Sequence, residues 1–578
     1  MHDDLKAFFL DPRSPKQRQY EALRAYVLEE RPAAEVAQRF GFTQKSLYAL
    51  AHDLRTGKLE LFPPQQTGPK DRRVTPYVRD KIGEWRKAQL SVEDIVERLK
   101  QEEIDVSPST VERVVKELGF GKLARRTAVQ RGRTKSNALL AQSAHNLEIE
   151  TLEPFNEACQ VAGLFAFLPY LMESGVLEVV KDLPLPESGV IGKQQAFLSF
   201  LALKLMGGER LSHIRQYDHD VGFGVFAGLN VLPKPTYMGT YSCLFSAELC
   251  QQLQKDMLHR LTAWEPTLFS GQTINLDFHS IPHFGEQSEM EKVWCGARNK
   301  AMKAANTFFA QDAESHVILY TNADVLRQEG AKEILNFVDY WKDIKGVVHE
   351  TLVFDSRLTT YKILAQLDEA KVKFITLRRR GKSLAEQTQA LPESSWRKVK
   401  LPIPKRKHQT FLVHESEVTL KGCPTPLRQI IMKDHGRAEP TYVITNNQNM
   451  ELVEILMVYA RRWRIENKLA ELVDFFHLNA LSSPIMVRIF FDLLLSVVAS
   501  VVYRRFAQDL PRFEKNLAPE IFRKFVDMPG RVRYDGNQFE VRIRKHAHTP
   551  IMLGVKKLQE PIEIPWLDGR PLQMKFTS

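Results

Sequence analysis

Residues 273–281 read TINLDFHSI, and this stretch decides the fold class of the second half of the chain. Successive side chains of a strand point to opposite faces. One face would carry Ile274, Leu276 and Phe278, and the other Asn275, Asp277 and His279. The stretch therefore predicts a strand that presents one carboxylate, Asp277, from an otherwise apolar run.

A second acid closes another apolar run. Residues 350–358 read ETLVFDSRL, in which Asp355 follows three β-forming residues, 78 positions (355 − 277) after Asp277. Short β-rich runs with helical stretches between and after them predict an α/β domain here. Taken singly, an Asp at the end of a strand is more often a turn or cap residue than a ligand.

A third acid lies in residues 457–476, MVYARRWRIENKLAELVDFF, within a helix predicted from about residue 450 to 506. At about 100° per residue, Tyr459, Arg462 and Glu466 fall within an arc of about 60°. They lie beside an apolar stripe, whereas the rival acids Glu471 and Asp474 point elsewhere. The alternative is that Arg462 and Glu466, four residues apart, are an ordinary helix surface pair.

These three motifs resemble the DDE transposases of bacterial insertion sequences, in the subgroup marked by a Tyr-x2-Arg-x3-Glu-x6-Lys helix. Val473 stands where that subgroup has its Lys. The resemblance implies an α/β RNase H-like catalytic core in which Asp277, Asp355 and Glu466 are catalytic and hold metal. It implies two Mg²⁺ ions, with Mn²⁺ as an alternative, Asp277 bridging both. Tyr459, Arg462 and His279 would support the site.

The implied catalytic domain covers residues 269–510, with a β-rich insertion at 381–445. Residues 378–408 contain ten Lys and Arg against Glu386 and Glu393, which favours a DNA-facing surface beside the site. The DNA-binding candidates there are Arg378, Arg379, Arg380, Lys398, Lys405, Arg406 and Lys407. Trp396 would either pack in the core or stack on an extruded base.

Most of the excess positive charge lies near the N-terminus. The chain has 81 Lys and Arg against 70 Asp and Glu, a formal charge of +11. Residues 1–135 hold 27 of those cations and 20 of the acids, a surplus of +7. Such a surplus favours a polyanionic partner. The composition, 43% hydrophobic and 26% charged, excludes collagenous and disordered proteins.

Residues 1–56 and 75–119 each predict a helix-turn-helix, joined by a Pro- and Gly-rich linker. In the first unit, 33–40 and 43–54 predict helices on either side of a turn at Gly41. In the second, Ser91 and Asp94 predict a capping box. The base-contact candidates, near the start of the second helix of the first motif, are Thr43, Gln44, Lys45, Ser46 and Tyr48. Three-helix packing without a ligand is the alternative.

Three further segments complete the predicted layout. Residues 120–148 form a basic linker in which Arg125, Arg126, Arg131 and Arg133 would follow phosphates, a solvated linker being the alternative. Residues 149–268 predict a helical domain, and 511–578 a small β-rich segment.

Several other classes of site and location are disfavoured. Five scattered cysteines give neither a disulfide framework nor a cysteine zinc site. His279 and His283 lack a third ligand, so a packing or supporting role is favoured over zinc. The most apolar stretch, 489–503, is short and contains Asp492, so we expect a cytoplasmic protein without membrane spans.

The leading interpretation is a DNA transposase that binds element ends and performs metal-dependent strand cleavage and strand transfer. Its partners would be double-stranded DNA, as element ends and target, and a second copy in a homodimer on paired ends. One alternative is a DNA-binding regulator or domesticated, catalytically inert relative, which Val473 favours. Another is a DNA nuclease without strand transfer.

Overall fold

The computed structural model describes residues 9–10, 12, 14–62, 74–123, 146–285, 288, 290–323, 325–402, 409–423, 425–480 and 485–577. The chain divides into two compact units, residues 1–75 and 76–578. The basic candidates Arg125, Arg126, Arg131 and Arg133, and Lys405, Arg406 and Lys407, lie outside the described residues.

The first unit contains a bundle of three helices, α1 (Pro15–Val27), α2 (Ala33–Phe40) and α3 (Gln44–Arg55). Its small core consists of Ala22, Ala25, Val36, Phe40 and Leu47. Gly41 ends α2 with φ of +69°, a left-handed conformation that glycine adopts without steric cost. The predicted pair of helices around this turn is therefore present.

Three more helices begin the second unit, α4 (Pro76–Lys87), α5 (Val92–Gln101) and α6 (Pro108–Glu117). The predicted capping box opens α5. The Asp94 N–H donates to Ser91 Oγ at 3.2 Å and the Ser91 N–H donates to Asp94 Oδ2 at 2.8 Å. These reciprocal bonds satisfy two backbone donors that the start of a helix leaves free.

Residues 146–269 are mainly helical and contain one strand. The elements are β1 (Phe155–Cys159), α7 (Leu168–Glu173), α8 (Val176–Asp182), α9 (Lys193–Leu205), α10 (Val221–Ala227), α11 (Pro235–Tyr241) and α12 (Ala247–Trp264). All ten residues from Ala196 to Leu205 are buried. A helix that is buried all round lies inside a protein core.

A ten-stranded sheet carries the candidate site. Its first strands are β2 (Thr273–Pro282), β3 (Lys292–Cys295), β4 (Lys300–Asp312), β5 (Ile318–Asn322), β6 (Thr351–Val353) and β7 (Phe374–Leu377). Strands β2, β6 and β7 are parallel neighbours, whereas β4 is antiparallel to β2 and β5 to β4. Helices α13 (Glu333–Lys345) and α14 (Tyr361–Glu369) make the connections.

The predicted β-rich segment 381–445 contains four strands that continue this sheet. After α15 (Lys382–Gln389) come β8 (Arg397–Lys400), β9 (Thr410–Val418), β10 (Leu427–Lys433) and β11 (Thr441–Thr445). Strand β11 pairs antiparallel with β7, and the order continues β10, β9, β8 to the edge. These strands extend the sheet because β7 still offers a free edge for backbone hydrogen bonds.

The predicted helix from about 450 to 506 is broken twice. The structure has α16 (Leu452–Ala460), a 3-10 turn (Arg461–Trp463), α17 (Arg464–Asp474) and α18 (Met486–Gln508). The apolar periodicity did not reveal where the backbone turns, since each helix keeps its own apolar face towards the core.

Among the described residues, α18 is the one unbent helix long and apolar enough to span a membrane, with a mean hydropathy of 2.0. Most of it, 83% of that window, is buried inside the protein. Asp492 on α18 forms an ion pair with Lys204 on α9, Nζ to Oδ2 being 2.7 Å. The helix is thus the central packing element of the large core.

The last segment completes a second, five-stranded sheet. After α19 (Ala518–Ile521) it contains β12 (Gly530–Tyr534), β13 (Phe539–Arg544), α20 (Thr549–Leu553), β14 (Ile562–Glu563) and β15 (Pro571–Thr577). The strand order is β1, β12, β13, β15, β14, so β1 from the mainly helical region pairs with the C-terminal segment. The sequence did not indicate this pairing.

Candidate active site

Asp277 lies near the middle of β2 with its side chain only 19% exposed. Its Oδ2 accepts a hydrogen bond from Arg462 Nη1 at 3.0 Å, and its Oδ1 accepts one from the Phe278 N–H at 2.8 Å. Burial raises the pKa of Asp277 to about 6; Arg462 opposes the rise, while Asp355 and Glu466 add to it. The two other predicted acids are therefore close enough to affect this carboxyl.

Asp355 follows β6, the parallel neighbour of β2. Carboxyl ends of adjacent parallel strands meet at one edge of a sheet, which brings Asp355 towards Asp277. Its Oδ1 accepts the Arg357 N–H at 2.9 Å. Its backbone oxygen accepts from the hydroxyls of Thr359 and Thr376. Asp355 therefore forms the turn that ends its strand, and it also lies in the candidate site.

The 3-10 turn between α16 and α17 brings the third motif to the same place. Arg462 lies in this turn, Tyr459 in the last turn of α16 and Glu466 in the first turn of α17. Burial raises the pKa of Tyr459, Asp355 adds to the rise and Arg462 opposes it. The shared face that continuous helical geometry predicted is therefore produced by two short helices and a tighter turn.

Arg462 joins the first and third acidic motifs. Its Nη1 lies 3.0 Å from Asp277 and its Nη2 lies 3.1 Å from Glu466 Oε1. Burial lowers the pKa of Arg462. The nearby groups outweigh burial, so the pKa is raised overall; they are Asp277, Tyr459, Asp355 and Glu466. The guanidinium is 16% exposed and Glu466 is 58% exposed. One cation thus stands between two carboxylates that lie 189 positions (466 − 277) apart.

The chemistry of these donors suits a hard cation, since Mg²⁺ and Mn²⁺ prefer carboxylate oxygens. Within the part of the chain that the structure describes, no three His, Cys, Asp or Glu side chains lie close enough together to hold one metal ion. Arg462 occupies the space between Asp277 and Glu466. Glu466 is the exposed member, so rotation of its side chain is the smallest change that would bring the acids together.

His279 is on the same face of β2 as Asp277. Its Nε2 lies 2.8 Å from Asn479 Oδ1, in the 3-10 turn Leu478–Ala480. Burial lowers the pKa of His279, so the ring is neutral near pH 7, and the bond to Asn479 opposes that shift only in part. His279 therefore fixes β2 to the turn after α17, which fits the supporting role.

Sequence reasoning missed Arg357. Its Nη2 donates to Asn306 Oδ1 at 2.8 Å, and its guanidinium carbon lies 4.8 Å from the centre of the Phe278 ring. Burial lowers the pKa of Arg357, while Asp355 and Asp277 oppose that shift. The signal was its place two residues after Asp355. A cation held by a side-chain amide and an aromatic face is pre-organised to meet an incoming phosphate.

If the site cleaves DNA strands, replacing Arg357 with alanine is expected to slow cleavage about a hundredfold, the usual effect of removing one pre-organised donor. Cleavage of end-labelled duplex DNA under single-turnover conditions measures it. Asn306→Ala keeps the Arg357 cation and removes its hydrogen-bond partner, so the rate should fall less than in Arg357→Ala. Equal rates for Arg357→Ala and the unchanged protein would contradict a role in the site.

Of the rival acids, Glu471 is engaged elsewhere and Asp474 is exposed. Glu471 Oε2 lies 2.5 Å from Lys468 Nζ, with side chains only 3% and 7% exposed. Glu471 Oε1 also accepts the Ala518 N–H at 2.8 Å. Val473, at the position of the subgroup's Lys, is partly buried against the large core. These residues hold α17 in place and add no charge to the site.

Most of the described basic candidates near the site already form hydrogen bonds or ion pairs within the protein. Arg378 donates to Gln429 Oε1 at 2.6 Å, and Arg380 pairs with Glu439. Arg379 donates to the backbone oxygens of Ser356 and Arg357, which places it beside the second acidic motif. Lys398 is exposed on edge strand β8. Arg379 is therefore the residue of this group that is nearest to the acids.

Trp396 packs against Leu384, Ile431 and Tyr442. Lys433 Nζ lies 4.0 Å from the centre of its ring. This side chain is part of a small core, with a cation on one face.

In the N-terminal unit, two of the five base-contact candidates are engaged in capping. Thr43 Oγ1 accepts the Ser46 N–H at 3.1 Å and lies 2.7 Å from Ser46 Oγ. Tyr48 packs edge-on against Tyr26 and is 50% exposed. Gln44 and Lys45 are exposed at the start of α3. Those two side chains, with Tyr48, remain available to a ligand.

Residues 269–502 match the family model described as the transposase DDE domain. This matched segment, about two fifths of the chain, is similar to a transposase DDE domain. The match begins just before β2 and ends inside α18, so the DDE domain includes Asp277, Asp355 and Glu466. The helices before β2 and the five-stranded sheet lie outside it.

Two solved transposase structures are similar to the chain. One is a piggyBac transposase synaptic complex with hairpin DNA, 11% identical, covering 63% of this chain and 78% of its own, with a TM-score of 0.33. The other is the Mos1 mariner paired end complex with Mn, 10% identical, covering 66% of this chain and 92% of its own, with a TM-score of 0.13. No curated protein matches the chain.

Proposed function

We propose that this protein is a DNA transposase of the insertion-sequence type. Its DDE domain would hydrolyse the DNA strand at each element end and join the released 3′-hydroxyl to target DNA. One observation carries the proposal: Arg462 links Asp277 on β2 to Glu466 on α17, and Asp355 lies close enough to raise the pKa of Asp277. The order β5, β4, β2, β6, β7 supports an RNase H-like core.

Asp277, Asp355 and Glu466 would hold two Mg²⁺ ions, with Mn²⁺ as an alternative. Bound divalent cations activate the attacking oxygen and neutralise charge on the leaving oxygen in phosphodiester cleavage. Arg462, which now pairs with Glu466 at 3.1 Å, would supply a positive charge for the DNA phosphate beside these acids. Asp277 is held in place by β2 and the Phe278 N–H, so it moves least.

The N-terminal helical units would recognise the element ends as helix-turn-helix modules. The exposed Gln44, Lys45 and Tyr48 support this assignment for the first unit, because the start of the second helix enters the major groove in such modules. Two ends must be handled together, so a homodimer on paired ends follows. We place the protein in the cytoplasm, where the element DNA is located.

A second candidate function is a DNA-binding relative with an inert acidic site. Two observations favour it: Arg462 occupies the space between Asp277 and Glu466, and Val473 stands where the subgroup has Lys. Such a protein would bind DNA ends and leave them uncut.

Cleavage and joining assays separate these functions. Labelled element-end DNA is incubated with the full chain and Mg²⁺, and a plasmid is added as target. Cleavage with covalent insertion of the end into the plasmid supports the transposase. Cleavage without insertion indicates a nuclease, and end binding without cleavage indicates the inert relative.

Binding of Mg²⁺ is expected to strengthen as pH rises through about 6. Asp277 is protonated in the folded protein below that pH, and a metal ligand must lose its proton. Calorimetric titration with MgCl₂ at several pH values measures the effect. An affinity that is unchanged between pH 5 and 7 would contradict it.

The ionisation of Asp277 also affects the stability of the fold. Stability falls over the pH range in which Mg²⁺ binding strengthens. The pKa of Asp277 is higher in the folded chain than its usual value of 3.8, so the unfolded chain loses its proton first as pH rises. The contribution of Asp277 to stability is therefore fully present below pH 3.8 and is lost as pH rises to about 6. Asp277→Asn should remove this part of the pH dependence.

A further inference from the structure

We infer that a groove in the C-terminal segment is a second DNA-phosphate site, outside both the DDE domain and the N-terminal units. This inference rests on the proposed function, since it assumes that DNA is the partner. The C-terminal groove is the cleft of about 540 Å³ lined by residues 523–529 and 543–548. Its cationic residues are Arg523, Lys524, Arg544 and Lys545.

The cations come from both walls of the groove. Arg523 and Lys524 lie in the π-helical turn Phe522–Val526, whereas Arg544 ends β13 and Lys545 follows it. The backbone N–H of Lys545 donates to Thr577 O at 2.9 Å, which fixes the end of β13 against β15. Cations on two rigid walls are spaced to follow a phosphate backbone.

The groove has a clear surplus of positive charge. Four cations against one lining acid, Asp527, give +3 (4 − 1), and Glu520, which pairs with Lys524 at 2.7 Å, reduces this to +2. Burial, with His548 nearby, lowers the pKa of His546, so that ring adds no charge near pH 7. The surplus therefore rests chiefly on Arg523, Arg544 and Lys545.

Two neighbouring cations of the same sheet share one acidic partner. Arg542 on β13 and Lys575 on β15 both pair with the buried carboxylate of Glu540. Arg544 is exposed on the same face, two residues further along, and is not part of that ion-pair cluster. The single charge of Glu540 offsets only one of these cations, so the sheet keeps a positive surplus that extends to the groove.

The lining of the groove favours a polyanion over a membrane surface. Of its apolar members, Met528 and Ile543 are only 7% and 1% exposed, and Pro529 is the one that is exposed. Stable peripheral membrane binding usually combines positive charge with several exposed apolar side chains that enter the lipid. DNA requires the charge alone.

The test compares two double variants that each remove two positive charges. R544Q/K545Q removes them from the groove. K556Q/R570Q removes them elsewhere on the same segment: Lys556 is 91% exposed, and Arg570 precedes β15 at the opposite end of the sheet from Arg544. The affinity of the full chain for a mixed-sequence duplex of about 40 base pairs is measured over a range of salt concentrations.

R544Q/K545Q is expected to weaken binding about tenfold or more and to lower the slope of log affinity against log salt by about 0.9 for each lost phosphate contact. K556Q/R570Q should match the unchanged protein. Equal slopes for all three proteins would show that the groove is not a DNA-phosphate site. The proposed function would be unaffected by that result. If the unchanged protein binds no DNA at all, the proposed function fails as well. If R544Q/K545Q lost binding to anionic vesicles and kept its binding to DNA, the groove would be assigned to membranes.

Discussion

Asp277→Asn is expected to reduce strand cleavage and joining at least about a thousandfold, because the metal-assisted stabilisation that a carboxylate supports is worth several kcal/mol and about 1.4 kcal/mol corresponds to a factor of ten. Binding to element-end DNA should be unchanged, since the exposed candidates for end recognition lie in the N-terminal unit. Single-turnover cleavage of labelled ends and an affinity measurement on the same DNA give the two readouts.

The same variant should fold as well as the unchanged protein or better. Asparagine has the shape of Asp277, and its side-chain oxygen can still accept from Arg462. Its NH2 group cannot accept from the Phe278 N–H, but the larger cost of burying an ionised carboxyl disappears. A thermal midpoint at or above that of the unchanged protein is expected. Asp343→Asn is the matched control, because Asp343 is 61% exposed and pairs with Lys255 on the surface. Cleavage at the unchanged rate by Asp277→Asn would contradict the assignment of Asp277 as a catalytic, metal-holding acid.

Lys468→Met is expected to destabilise the fold by about 3–5 kcal/mol, the usual cost of leaving a buried carboxylate without its partner. Glu471 would lose the ammonium 2.5 Å from its Oε2 and keep the Ala518 N–H and the more distant charge of Arg504. A large drop in the midpoint of thermal unfolding measures the loss. Arg461→Met, on an exposed position, should shift stability by no more than about 0.5 kcal/mol.

Adding Glu471→Gln to Lys468→Met separates lost charge compensation from lost packing. Glutamine is neutral and still offers an oxygen to the Ala518 N–H, so the double variant should recover most of the stability. Glu471→Gln alone should keep cleavage activity, which would leave Glu466 as the functional acid of this helix. Loss of cleavage in a folded Glu471→Gln protein would contradict that assignment.

Local periodicity placed the acids on strand and helix faces, and the resemblance to transposases selected them as one set. Alternation along 273–281 placed Asp277 and His279 on one face, and an apolar run ending in Asp355 located the parallel strand beside it. The spacing of Tyr459, Arg462 and Glu466 predicted that they would lie together. Each of these inferences depends on residues within a few positions of one another.

Features set by distant partners were not predictable in this way. The 3-10 turn at Arg461–Trp463 depends on how α16 and α17 pack, and helical periodicity continues through it. The strands of 381–445 join the main sheet because of the free edge of β7, which no local pattern records. Arg357 was missed because its support, Asn306 and Phe278, comes from two other strands.

The pairing of β1 with β12 has a consequence for biosynthesis. Arg531 Nε on β12 donates to Asn156 Oδ1 on β1 at 3.0 Å, and these residues are 375 positions apart, so the second sheet cannot close until nearly the whole polypeptide has left the ribosome. Contacts of such long range form late, and an unpaired strand edge promotes aggregation meanwhile. Products of premature termination before residue 530 would lack this closure and become substrates for proteolysis.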